Sequence, residues 1–131
     1  MVTRGKVHRL PELDGFIAET GGQRAGLITY KMTGDELEIT SINSLVENEG
    51  IGTVLVDGVL DIARKKSVKR VMLITTNDNT KALRFWQKRG FRFAAVYPGA
   101  VDASRKLKPT IPLTGNDGIP IRDEIELEML V

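Results

Sequence analysis

The sequence predicts an α/β fold built on a mixed, mostly antiparallel central sheet with crossover helices, and three observations predict it. Short β-branched and apolar runs from Gly15 to Thr20 and from Arg24 to Met32 flank Thr20-Gly21-Gly22-Gln23, which marks a hairpin turn. Residues 41–66 read as a strand, a glycine turn and a helix, and residues 68–76 follow as a strand. The helix therefore crosses between two strands, and if they pair in parallel the unit is a right-handed βαβ. At the end of the chain Ile125, Leu127, Met129 and Val131 alternate with Glu124, Glu126 and Glu128, the pattern of a strand with one buried and one wet face.

In chain order, residues 1–12 form an N-terminal arm or a short edge strand closed by Pro11. His8, the only histidine, is read as a surface residue because no metal-ligand or triad pattern surrounds it. In the run from Arg24 to Met32, Ala25, Leu27 and Thr29 share one face, with Ile28, Tyr30 and Met32 on the other. Thr33-Gly34-Asp35 turns the chain into a third strand over residues 36–45, in which Leu37 and Ile39 alternate with Glu36, Glu38 and Thr40. Val54, Leu55, Gly58, Val59, Ile62 and Ala63 then recur at helical spacing as one apolar stripe.

The strand over 68–76 is dense in apolar and β-branched residues, as a central strand should be. Asn77-Asp78-Asn79 supplies N-cap candidates for a helix over about 80–89, with Ala82, Leu83, Phe85 and Trp86 apolar and Gly90 as its stop. Phe91, Phe93, Ala95 and Tyr97 are expected on one face of the next strand, ended by Pro98-Gly99. Residues 99–120 read as a long loop containing an Asn116-Asp117-Gly118 turn.

The 131 residues, 41% of them hydrophobic, suit one domain over 1–131 with a real core. Lys and Arg number 19 against 17 Asp and Glu, so the +2 balance gives little reason to expect nucleic acid. With zero cysteines, disulfides, thiolate metal sites and a cysteine nucleophile are excluded, and no metal site is expected. No apolar run approaches the ~20 residues of a membrane span and no signal-peptide core follows Met1, so a cytoplasmic protein is expected.

Gly50-Ile51-Gly52 removes two Cβ atoms where the chain enters the first helix. Backbone N–H donors there, added to the positive end of the helix dipole, favour a phosphate. The same residues also suit a tight strand-to-helix turn without a ligand.

Context adds to this. Glu47-Asn48-Glu49-Gly50-Ile51-Gly52 matches, except at its first position, the acyl-CoA loop of the GCN5-related N-acetyltransferase (GNAT) family, where Gln or Arg leads. Asn79, Ala82, Phe85, Trp86, Gly90 and Phe91 match that family's second motif. The chain resembles this family over residues 13–131, and its run Gly118 to Glu128 resembles a bacterial subgroup.

The resemblance implies acetyl-CoA as co-substrate, with its diphosphate on the N–H groups of Asn48, Glu49, Gly50, Ile51, Gly52 and Thr53. The pantetheine arm would pair along Leu45 and Val46, with the Val46 N–H as oxyanion donor. Asn79 would bond near the arm, and Phe85 and Trp86 would wall it. The implied reaction is acetyl transfer to a primary amine of a small molecule or peptide by direct attack. A non-catalytic acyl-CoA-binding or interaction module is the alternative.

Three departures stand out. Glu47 replaces Gln or Arg, and Trp86 stands where many members place the tyrosine that protonates the leaving thiolate. The family also begins with a strand and two helices that wall the acceptor, whereas here about a dozen residues precede the first confident strand. The chain thus looks N-terminally shortened, and the acceptor side is expected to stand open or to be closed by another subunit, a homodimer included. Tyr30 and Tyr97 are the only other phenols and hence the candidate acids, although each also reads as a half-buried sheet residue. Of the aromatic pair, Phe85 is assigned to the core. Arg105, Lys106 and Lys108 read either as a grip on a phosphate or an acidic acceptor, or as solvated loop charges.

Overall fold

The meander that the turn residues predict forms with one strand more than the three expected. The structure, a computed structural model, describes residues 5–9, 14–44 and 50–131, with 5–9, 20 and 44 described by their backbone alone. The chain divides into two units, Met1–Met72 with Leu130–Val131, and Leu73–Met129, each taken by itself below. The fold is mixed α/β with a mostly antiparallel sheet.

In the first unit, β1 (Gly5–Arg9), β2 (Gly15–Thr20), β3 (Gln23–Thr33) and β4 (Glu36–Ser44) pair antiparallel in chain order. The N-terminal arm is thus an edge strand, set against β2 from Gly5↔Thr20 to Arg9↔Phe16. The His8 side chain lies outside the described residues. Alternation delivers the core as predicted in β4, where Leu37 and Ile39 are buried. In β3 the buried residues are Ala25, Gly26, Ile28 and Tyr30, and the Tyr30 ring leans on Phe16 at 6.2 Å.

Helix α1 (Ile51–Lys65) leads from β4 to β5 (Arg70–Thr76), and β5 starts parallel to β4, Glu36↔Arg70 to Glu38↔Met72. The Arg70 guanidinium donates to the Glu36 carboxylate at 3.0 Å, which pins this register. The predicted crossover unit is therefore present. The helix packs on β2, β3 and β4 through Ile51, Leu55, Val56, Val59, Leu60 and Ala63. This stripe is turned from the expected one, leaving Val54, Gly58 and Ile62 half-buried. Periodicity shows that a stripe exists, but the sheet beneath sets its centre: the Phe16 ring occupies the space beside Gly58.

In the second unit the strand order is β5-β7-β6, with β6 (Arg92–Tyr97) antiparallel to β7 (Glu124–Leu130). Helix α2 (Thr80–Lys88) precedes β6, and Gly90, at φ 97°, provides the predicted stop. Residues 99–120 are not all loop, because α3 (Ala100–Leu107) and a 3₁₀ turn (Asn116–Gly118) form within them. Only Val101 of α3 is buried, so no apolar stripe announced it.

The face predicted for β6 is also broken. A bulge between Phe93 and Ala95 sets Phe93 and Val96 opposite Leu127 and Ile125, and Arg92, Ala95 and Tyr97 opposite Glu128, Glu126 and Glu124. Leu127 and Ile125 are buried as the alternation predicts, whereas Met129 is half-buried and Val131, beyond the end of β7, is 37% exposed, so the buried face stops short of the chain's end.

Candidate functional site

The start of α1 is the best-defined anion-binding geometry in the first unit. Gly50 precedes the helix at φ 71°, a left-handed conformation that glycine adopts without penalty, and among the described residues no side chain caps the helix. Among the described residues, a Cβ added at Gly50 would meet nothing within 4 Å. The first helical bond runs from Val54 N–H to the Gly50 carbonyl at 3.1 Å. The N–H groups of Ile51, Gly52 and Thr53 therefore lie ahead of the intrahelical ladder. No acidic residue stands in the first turn to compete for them. Ile51 itself is buried at 2% exposure, so it contributes through its backbone and anchors the turn with its side chain. Leu45, Val46, Glu47, Asn48 and Glu49 lie outside the described residues.

What holds this turn against the sheet is Gly26, which the sequence reading passed over. A Cβ there would stand 2.7 Å from Ile51 Cγ2 and 2.8 Å from the Asn43 carbonyl oxygen. Only a glycine permits this approach of α1 to β3. A glycine inside a strand pattern is the signal that could have found it.

In the second unit the three residues before α2 each do something different. Asn79 is the N-cap, its Oδ1 accepting from Ala82 N–H at 3.2 Å. Asn77 reaches the far side of the long connection: its Nδ2 donates to the Pro120 carbonyl, and its Oδ1 accepts from Arg122 and Asp123 N–H. Asp78, 5% exposed, accepts from Thr76 Oγ1 at 2.5 Å and from Asn116 N–H and Nδ2 at 3.1 and 3.0 Å. Burial pushes its pKa up, but the hydrogen bonds from Thr76 and Asn116 outweigh burial and hold it below the ordinary value of 3.8.

The sign of the resulting pH dependence follows. The unfolded carboxyl takes up its proton first as pH falls, so Asp78 stabilises the fold fully above about pH 4 and loses that contribution as pH drops through the folded value. We expect the wild type to lose stability in that acid range and Asp78→Asn to lose less there, while starting about 1–3 kcal/mol lower at pH 7 because the Asn116 donors lose their anion. Urea melts at pH 7 and pH 3 check this, and equal acid losses in the two proteins would contradict it.

Arg105 braces the same connection. Its guanidinium donates to the carbonyls of Ile111, Pro112 and Ile121 at 3.2, 2.8 and 2.9 Å and pairs with Asp102 at 2.6 Å. Neither reading of Arg105 as a phosphate grip or as a solvated charge holds, because its donors are committed to the chain itself. Lys106 and Lys108 are exposed.

The aromatic pair is reversed from expectation. Trp86, 2% exposed, is the core residue, edge-on to Phe85 at 5.0 Å and to Phe91 at 4.9 Å. Phe85 is half-buried and carries the Arg89 guanidinium 4.7 Å above its ring. Tyr30 is buried at 4% exposure in the first unit. Tyr97, in the second, donates its hydroxyl to the Glu126 carboxylate at 2.6 Å. Among the described residues no group of three or more His, Cys, Asp or Glu is arranged to hold a metal ion, and no helix is long and apolar enough to cross a membrane.

Comparison with known proteins decides the family. The model of the acetyltransferase (GNAT) family matches residues 3–91. The chain belongs to the GNAT family. It is 48% identical over 126 residues to the uncharacterized protein YdhI of Bacillus subtilis (strain 168), covering 95% of this chain and 79% of that one. A second uncharacterized protein of the same strain, YxbD, is 44% identical over 128 residues, covering 97% of this chain and 80% of that one. Among solved structures, a GNAT family acetyltransferase from Elizabethkingia anophelis with acetyl-CoA bound superposes with a TM-score of 0.77 at 23% identity, covering 98% of this chain and 78% of that one. A Bacillus subtilis acetyltransferase in complex with CoA gives 0.76 at 24% identity, with the same coverage of 98% and 78%. These two likenesses show the GNAT fold.

Proposed function

We propose that this chain transfers the acetyl group of acetyl-CoA to a primary amine of an acceptor molecule, acting as a single cytoplasmic domain over residues 1–131. The observation that carries the reading is the start of α1, whose first turn holds no acidic residue, with no described atom within 4 Å of a Cβ at Gly50 and the N–H groups of Ile51, Gly52 and Thr53 ahead of the helical ladder. Membership of the GNAT family and structural neighbours bearing CoA and acetyl-CoA support it. The diphosphate binds at this turn, including Asn48 and Glu49. The amide-bearing pantetheine arm pairs along the end of β4, continuing to Leu45 and Val46. For α2 the family resemblance implies Asn79 and Phe85 as residues of the arm's site, with Trp86, 2% exposed, packed edge-on behind Phe85 at 5.0 Å.

In the reaction the amine nitrogen attacks the thioester carbonyl carbon, a C–N bond forms, the C–S bond breaks and the thiolate of CoA takes a proton. A lysine-like ammonium, with a pKa near ~10.4, first gives up its proton to a carboxylate or an ordered water. With zero cysteines, no cysteine acyl-enzyme intervenes. Tyr97 and Tyr30 are the candidate acids, and Tyr97 is the more exposed of the two at 42% against 4%.

A screen of amines and amine-bearing peptides that reads free CoA tests the proposal. At least one acceptor is expected to raise CoA release well above the hydrolytic background. One observation favours a second reading, a non-catalytic acyl-CoA-binding or interaction module: the family's tyrosine position holds Trp86, whose indole N–H has no useful acidity. That reading predicts background release with every amine, together with intact acetyl-CoA binding.

A further inference from the structure

We infer that Asp78 and Asn116 are positioning residues for acetyl-CoA: through them the connection over 99–120 holds Asn79 in the orientation that binds the pantetheine arm. The inference deepens the proposed function and rests on its placing of Asn79 in the arm's site. Only residues 77–79 separate β5 from α2, and the first two spend their side chains on the chain beyond α3 and on β5 rather than on the helix. Asn77 donates through Nδ2 to the Pro120 carbonyl at 2.9 Å, and its Oδ1 accepts from Arg122 and Asp123 N–H, both at 3.0 Å. Its own N–H donates to the Asp123 carbonyl at 3.0 Å. Asp78 takes the N–H and the Nδ2 of Asn116 on one carboxylate oxygen, while the other accepts from Thr76 at the end of β5. Because the carboxylate is 5% exposed, little water competes for these charge-assisted bonds. The corner before α2 is thereby clamped.

The connection is shaped to reach that corner. Gly115 N–H donates to the Ile119 carbonyl at 2.8 Å and Ile121 N–H to the Leu113 carbonyl at 2.9 Å, which closes residues 113–121 into a narrow hairpin bridged at Thr114 and Pro120. A Cβ at Gly115 would overlap the Asp78 carboxylate, so only glycine lets the hairpin close on it. The three carbonyl bonds of Arg105, to Ile111, Pro112 and Ile121, brace the hairpin at its base.

Asn79 is the residue on which this clamp acts. Its Oδ1 is committed to Ala82 N–H at 3.2 Å, and a planar amide held at one end and at its backbone has its other end held as well. Among the described residues Nδ2 has no partner, so it is the donor that Asn79 offers to an amide carbonyl of the arm. Hydrogen bonds weaken steeply as the donor angle opens, so such a donor contributes to affinity only while its direction is kept. The cap fixes one atom of Asn79. The clamp on Asn77 and Asp78 fixes the backbone from which the side chain projects.

Calorimetric titration of acetyl-CoA into the wild type, Asn116→Ala, Asn79→Ala and the double variant tests the inference. Asn116→Ala is expected to raise the Kd about fivefold in the wild-type background, the loss of roughly one well-aligned hydrogen bond. In the Asn79→Ala background it should change the Kd by less than about twofold, because the clamp works through Asn79. Gly115→Ala, which drives the hairpin off Asp78, should weaken acetyl-CoA at least as much as Asn116→Ala. The arm-less fragment 3′-phosphoadenosine 5′-diphosphate should bind the wild type and Asn116→Ala alike. A wild type that does not bind acetyl-CoA overturns the proposed function and this inference with it. Where the wild type binds, the transferase reading stands and the inference falls if Asn79→Ala binds as the wild type does, or if Asn116→Ala leaves the Kd unchanged. It falls too if Asn116→Ala costs the same in both backgrounds or the same for both ligands, because its effect would then be a general loosening of the fold.

Discussion

Replacing Gly26 with alanine is expected to lower the melting temperature by roughly 10 °C, through a stability loss of about 2–3 kcal/mol. The new methyl would stand 2.7 Å from Ile51 Cγ2 and 2.8 Å from the Asn43 carbonyl oxygen. One neighbour is a side chain buried at 2% exposure and the other is backbone, so neither yields cheaply. Because Ile51 is the first residue of α1, the strain also falls on the turn that carries the proposed diphosphate donors. Acetyl-CoA affinity should therefore drop together with stability. Gly58→Ala is the control. Its methyl would meet the Phe16 ring at 3.5–3.8 Å, an ordinary contact. Alanine in a helix interior is favoured over glycine by up to about 1 kcal/mol, so this variant should melt a few degrees higher. Thermal melts of both proteins check the pair, and a wild-type melting temperature for Gly26→Ala would contradict the packing argument.

Trp86→Ala is expected to cost about 3–5 kcal/mol, because it empties the space between Phe85 and Phe91. Trp86→Tyr keeps a ring there and should cost about 1–2 kcal/mol. It also sets a phenol where many GNAT proteins carry their acid. A positioned acid typically contributes ~10²–10⁴-fold, whereas orientation and oxyanion stabilisation carry much of the rest. Once an acceptor is in hand, we expect Trp86→Tyr to raise kcat at least about tenfold while the KM for acetyl-CoA changes little. A faster wild type and a slower tyrosine variant would mean that Tyr97, Tyr30 or water already supplies the proton. Background CoA release from both proteins, with acetyl-CoA binding intact, would favour the binding-module reading.

Strand alternation and turn chemistry made most of the fold legible. Leu37 and Ile39 against their glutamates, the paired glycines at 21 and 22, and the Ile125–Leu127 alternation each specified an element that forms. Two kinds of feature stayed hidden. Neighbouring residues on one helix, such as Phe85 and Trp86, both fit a 3.6-residue period, so the choice of core residue depended on Phe91, which arrives after the Gly90 turn. Polar side chains that hold irregular backbone leave no periodicity at all: Asn77 and Asp78 read as cap candidates, and Arg105 as a loop charge, until their carbonyl and amide partners are seen. At the candidate site, Gly50 and Gly52 were legible as a close approach to the helix start, whereas Gly26, distant in sequence, was not.

The measurement that most directly tests the central claim, that acetyl-CoA binds at the start of α1, compares the wild type with Gly52→Val in thermal melts with and without acetyl-CoA. Position 52 lies inside α1, so valine fits the backbone there at the small cost of a β-branched residue in a helix. Its side chain would crowd the donors of the first turn. A ligand that binds only the folded chain stabilises it by RT ln(1 + [L]/Kd), or about 2.7 kcal/mol at a hundredfold excess over Kd. The account predicts a clear upward shift for the wild type at millimolar acetyl-CoA, and little or none for a Gly52→Val protein that melts normally on its own. No shift in the wild type, or an equal shift in both, would contradict it.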